Sequence, residues 1–142
     1  MIEIGQCYCR RNPLWGRDVV KVNRQVKSSV LDFERYDVTL IRTTGGLQLV
    51  EHEILPLTVF QHTGFVPVSE QLFLKLHAMA RMQRAAQAAH PSQTPQSSLL
   101  VETLLRQYGV IDDTPPEVFA QQYAQGTKAL LTGVYDVVDV HK

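Results

Sequence analysis

Val38-Thr39-Leu40-Ile41-Arg42-Thr43-Thr44-Gly45-Gly46-Leu47-Gln48-Leu49-Val50-Glu51 is the stretch on which the fold turns. Strong strand formers at 38–41 lead into a paired-glycine turn, and Leu47–Glu51 alternates as a return strand. Two glycines supply the positive φ angles that tight hairpin turns require. The fourteen residues therefore predict an antiparallel hairpin.

Outward from this hairpin, the same period-2 pattern recurs. Gly5-Gln6-Cys7-Tyr8-Cys9-Arg10, Asp18-Val19-Val20-Lys21-Val22 and Val30-Leu31-Asp32-Phe33-Glu34-Arg35-Tyr36 each read as strand. Asn12-Pro13-Leu14-Trp15-Gly16 reads as a turn. Pro56, in Leu55-Pro56-Leu57, argues against a central strand there. Phe60 and Phe65-Val66-Pro67 are placed to close the unit. About five short strands within the first 68 residues suit a small barrel or sandwich.

Near Pro67 the period changes to 3.6. Ser69 is a good N-cap for a helix whose Leu72, Leu76, Met79 and Ala80 share one face, with Phe73 beside it. His90-Pro91-Ser92-Gln93-Thr94-Pro95-Gln96-Ser97 breaks this helix and reads as a linker. A second helix from Ser97 or Ser98 carries Leu100, Val101, Leu104, Leu105 and Tyr108, with Gly109 as its C′ residue and Val110 as the hydrophobic contact after it. Thr114-Pro115-Pro116-Glu117 signals a third helix start, and Val134–Val140 reads as a final strand or tail. The expected class is α+β. An antiparallel barrel spans 1–68, a connecting amphipathic helix 69–90, a linker 91–97, and a helical pair with a possible terminal strand 98–142.

The first 68 residues resemble a small SH3-like or Tudor-like barrel. The residues that carry the likeness are Gly5-x-x-Tyr8, Trp15-Gly16-Arg17-x-Val19-Val20-x-Val22, Val30-x-x-Phe33-x-x-Tyr36, Gly46, Leu49 and Leu55-Pro56-Leu57. The rhythm, with its closing pair Phe60 and Phe65, is also similar to short accessory proteins of phages and mobile elements. The resemblance implies a binding module. Tyr8, Trp15, Phe33 and Tyr36 would supply the aromatic faces that contact a partner. Tyr36 is followed by Asp37-Val38, without the acidic residue and glycine of methyl-ligand readers in their usual places.

Charge and composition narrow the function classes. The chain has 142 residues, with 14 Lys+Arg against 14 Asp+Glu. That balance is not that of a strongly basic nucleic-acid binder. No apolar run approaches the roughly 18 residues of a membrane span. Met1-Ile2-Glu3 opens acidic, which predicts no secretory leader. With only Cys7 and Cys9, a disulfide scaffold is not expected, and a reducing cytoplasm is the simplest compartment.

The charge is uneven within the chain. Arg10, Arg11, Arg17, Lys21, Arg24 and Lys27 face only one acid, Asp18, within residues 10–27. Such a stretch can neutralise phosphates while Trp15 stacks on a base, which makes nucleic-acid binding the alternative function. The plainer reading is a solvated hairpin face balanced by Asp32, Glu34 and Asp37. Residues 99–142 carry three cations against six acids. The two ends are thus complementary, within one chain or between copies.

Catalytic and metal signals are weak. Cys7-x-Cys9 puts both sulfurs on one side of a strand but lacks the usual zinc-knuckle spacing, so two small, partly buried apolar residues are expected instead. Asp112-Asp113 suits the start of a helix electrostatically. No nucleophile, base and oxyanion donors form a set, and no metal, cofactor or enzymatic activity is expected. The expected function is a non-enzymatic adaptor or inhibitor that binds another protein. The apolar stripe Leu100, Leu104, Leu105 and Tyr108 is the candidate for a homodimer interface if it is not core.

Overall fold

A computed structural model describes residues 2–11, 16–27, 33–43, 46–91, 98–110, 117–122, 124–125 and 128. Residues 92–97 of the expected linker 91–97, the turn residues 12–15 and the possible strand 134–140 lie outside the described residues.

Five strands form one antiparallel sheet: β1 (Cys7–Arg11), β2 (Arg17–Val26), β3 (Arg35–Arg42), β4 (Gln48–Pro56) and β5 (Val66–Val68). The spatial order is β4-β3-β2-β1-β5. The hairpin expected around Gly45–Gly46 is the β3–β4 pair, with Leu40 opposite Val50 and Arg42 opposite Gln48. Of the strand expected over residues 30–36, residues 30–32 lie outside the described residues, Phe33 and Glu34 are not strand, and β3 begins at Arg35. The helix α1 (Leu57–His62), which strand periodicity does not reveal, lies between β4 and β5.

The sheet is open, which corrects the expectation of a closed barrel. β4 and β5 are its two edges and do not pair with each other. β5 is only three residues long before Ser69 caps the next helix, so it cannot extend to β4. Pro67 sits at its middle, and an edge tolerates that missing donor. Pro56 likewise ends an edge strand, opposite Arg35.

Alternation along the strands divides the core into two layers. On one face, Cys7, Cys9, Val19 and Ile41 are buried under α2 (Glu70–Ala89) and α3 (Ser98–Gln107), with Leu72, Phe73, Leu76, Ala80, Val101 and Leu105. On the other, Tyr8, Val20, Val22, Tyr36, Val38 and Leu40 pack around Phe60 of α1. Phe60 meets Tyr8 and Tyr36 edge-on, at centroid distances of 5.4 and 6.0 Å. Val19 and Val20 are adjacent yet both fully buried, because both faces of the central strand are covered.

Helix ends follow the chemistry read from the sequence. The Ser69 hydroxyl accepts from the Gln71 N–H at 3.1 Å. At the end of α3, Gly109 takes φ +77°, its N–H donates to the Arg106 carbonyl, and the Val110 N–H donates to Leu105. This is a Schellman closure, and Val110 packs back on the helical core layer. That layer is shared by sheet and helices. The change near residue 68 is therefore one of element type, not a gap between two cores. Residues 117–122 are helical.

Candidate functional site

The expected aromatic contact face is divided by the fold. Tyr8 and Tyr36 are buried around Phe60, so neither offers a ring face to a partner. The Tyr36 hydroxyl donates to Glu34 Oε2 at 2.6 Å. Burial, with the Glu34 bond second, pushes its pKa up to about 12. Phe33 is exposed, and Trp15 lies outside the described residues. The physical reason is parity: Tyr8 and Tyr36 fall on the same side of the sheet as Val20, Val38 and Leu40.

The basic stretch is likewise dispersed into individual ion pairs. Asp18 is only 1% exposed. It accepts from Arg10 Nε at 2.9 Å and Arg42 Nε at 3.2 Å. Arg10 and Arg42 are its cross-strand neighbours on β1 and β3, so the three charges form one row across the sheet. Arg10 also donates to the Thr63 hydroxyl at 2.7 Å and lies 4.7 Å above the Phe65 ring.

Lys21 pairs with Glu70 at 3.1 Å, which ties β2 to the start of α2. Arg24 pairs with buried Asp37 at 3.3 Å, and His52 Nδ1 approaches the same carboxylate at 3.1 Å. Asn23 is an extra residue in β2, and Glu51 and His52 together oppose Thr39, which brings Arg24 and His52 onto Asp37. Arg11 lies 4.7 Å above the Phe119 ring. Arg17 is buried at the start of β2, and Lys27 is exposed. The six cations do not form one continuous strip.

Cys7 and Cys9 are free, buried and on one face, as small apolar residues would be. Burial raises their pKa values to about 11 and about 12, so the thiolate is scarce at neutral pH. Among the described residues no three His, Cys, Asp or Glu side chains converge as metal ligands. No helix among them is long and apolar enough to cross a membrane.

The α3 stripe separates into two roles. Leu105 is core, and Leu104 and Tyr108 pack against that core with Lys75 Nζ 5.1 Å from the Tyr108 ring. Leu100 stays outside, 62% exposed. On α2, Leu74 is 51% and Met82 73% exposed. Leu74, Ala78 and Met82 follow one another at four-residue steps, so they form one stripe on the side of α2 away from Leu72, Leu76 and Ala80. Between the helices runs a groove of about 310 Å³ floored by Ala78, Met79 and Leu104, with Leu100 on its wall.

This two-helix surface is the candidate functional site. Leu74 and Met82 were not among the expected contact residues. Their signal is in the sequence, as apolar residues off the main helical stripe, but it counts only once α3 is known to cover the other side. Comparison of the chain with protein-family models, with curated proteins and with solved structures gives no match.

Proposed function

We propose that the protein is a non-enzymatic accessory protein, an adaptor or inhibitor of the kind phages and mobile elements encode, that acts by binding another protein. The docking face is the outer surface of α2 and α3. The observation that carries this reading is the apolar groove between the helices, with Leu100 exposed on its lining, together with the exposure of Leu74 and Met82 on α2. A cluster of large apolar side chains kept in water is a cost that burial against a partner recovers. Lys75, Thr103 and Gln107 supply the polar part of the groove lining.

The strand order, with a helical turn before the last short strand, supports treating the sheet as an opened SH3-like module. In this reading the sheet serves as the rigid support for the helical layer. Protein binding is favoured over nucleic-acid binding because Arg10, Lys21 and Arg24 are each engaged by a carboxylate.

The test is affinity capture with the wild-type chain and with the Met82→Asp/Leu100→Asp double variant, each with and without nuclease. Both substitutions are on exposed positions, so circular dichroism should show an unchanged fold. A partner protein bound by the wild type, retained after nuclease and lost in the variant, supports the reading. A partner set identical in both chains, or one that vanishes with nuclease, refutes it.

A further inference from the structure

The groove between α2 and α3 has helical periodicity on both sides. On α3 it is lined by Leu100, Thr103, Leu104 and Gln107, the i, i+3, i+4 and i+7 positions of one face. On α2 it is lined by Lys75, Ala78 and Met79, the i, i+3 and i+4 positions of another. Two such rows leave a furrow that the side-chain ridges of a third helix fit. Ala78 is small and exposed, so a backbone can approach closely there, and the unbranched Met79 adapts to the shape of what enters.

Charge narrows what that helix carries. Among the described residues that line the groove, Lys75 is the one that is charged. It is exposed, its Nζ lies 5.1 Å from the Tyr108 ring, and no carboxylate among the described residues pairs with it. Tyr108 follows Gln107, so the ammonium stands at the end of the groove where α3 ends. Leu100 lies two turns earlier on α3, about 10 Å along its axis. A symmetric pair of copies would bring the same patch together twice, and its lining would leave both lysines without a counter-charge. A different protein has to supply the acid.

We propose that the occupant is an amphipathic helix of a partner protein. Its apolar side chains at i and i+3 or i+4 fill the groove between Leu100 and Ala78, and an Asp or Glu at i+7, two turns from the first of them, pairs with Lys75. The proposal rests on the α2–α3 face being the docking surface and adds the secondary structure and the charge of what docks there.

The experiment selects peptides from a displayed library of helix-favouring sequences of about 15 residues on the full wild-type chain, on Lys75→Glu and on Leu100→Asp. Both positions are exposed, so circular dichroism should show the same fold in all three chains. Peptides enriched on the wild type should carry the apolar pair and the acid, and fluorescence anisotropy should show each variant weakening them by about tenfold or more. Those enriched on Lys75→Glu should carry Lys or Arg where the acid stood. Peptides without an acid, peptides that keep their affinity on Lys75→Glu or Leu100→Asp, or no enrichment at all overturn the inference. A wild-type chain that is dimeric by light scattering while Leu100→Asp is monomeric overturns it as well, because a second copy then fills the groove. The docking face is judged separately, by capture with the Met82→Asp/Leu100→Asp chain.

Discussion

Replacing Asp18 by Asn tests the polar row that crosses the sheet. The substitution keeps the side-chain shape, so no cavity forms, but it removes the charge that Arg10 and Arg42 share. Hydrogen bonds to a charged group contribute roughly 1.5–3 kcal/mol each, and Asn retains one neutral acceptor. The two arginines differ in access to water. Arg10 is 16% exposed at the side chain and Arg42 42%, so Arg42 recovers hydration more easily. Taken together the loss should be about 3 kcal/mol, a large share of a stability of about 5–15 kcal/mol. At a urea m-value of about 2 kcal/mol/M this lowers the unfolding midpoint by about 1.5 M, with m unchanged. The assay is urea unfolding followed by circular dichroism. The companion variants Arg10→Gln and Arg42→Gln should rank in that order of cost, since Arg10 alone also bonds Thr63 and covers Phe65. A midpoint for Asp18→Asn within about 0.25 M of wild type, equivalent to about 0.5 kcal/mol, would refute the reasoning, as would Arg42 proving the costlier arginine.

Other expectations follow from the same contacts. Leu105→Ala should cost about 2–5 kcal/mol, because Leu105 is fully buried where α3 meets the sheet, and hydrogen exchange in α3 should rise first. Gly109→Ala should cost about 1 kcal/mol, since its φ of +77° is strained for a residue with a Cβ although nothing lies within 4 Å of that position; equal urea midpoints would count against this. Cys7, Cys9 and Tyr36 all have folded pKa values raised above their ordinary values of 9.0, 9.0 and 10.0, so the unfolded chain loses those protons first. Their stabilising contribution is complete below about pH 9 and declines as pH rises toward about 12, which unfolding curves at pH 8, 9.5 and 11 would display as a falling midpoint. The same burial predicts that iodoacetamide labels both thiols slowly in the native chain and rapidly in urea.

Much of the architecture was legible because local chemistry and tertiary context agree. The β3–β4 hairpin, the Ser69 cap and the Gly109–Val110 closure depend on neighbours within a few residues. The same is true of the buried stripe Leu72, Leu76 and Ala80, whose spacing alone defines a face. Helix α1 was not legible, since six residues give too short a period to separate from an interrupted strand. The candidate site was harder to read than the fold. Tyr8 and Tyr36 have the composition of a contact surface, yet strand parity places both beside Val20 and Leu40 in the interior. Leu104 and Leu105 are adjacent in sequence, and only packing on the sheet and α2 makes the second of them core.

Local chemistry is enough for the antiparallel pairing, the switch from strand to helix near residue 68, the Ser69 cap and the Gly109–Val110 closure. These rest on periodicity, capping and backbone freedom, which act over one or two turns of chain. Long-range packing is what leaves the sheet open, lets α2 and α3 share its core, and engages Arg10, Arg24 and Lys21 of the basic stretch with Asp18, Asp37 and Glu70. It also decided which apolar residues remain outside. Those outcomes depend on which distant elements cover each face, and a side chain's environment is set by what packs on it, not by its neighbours in sequence.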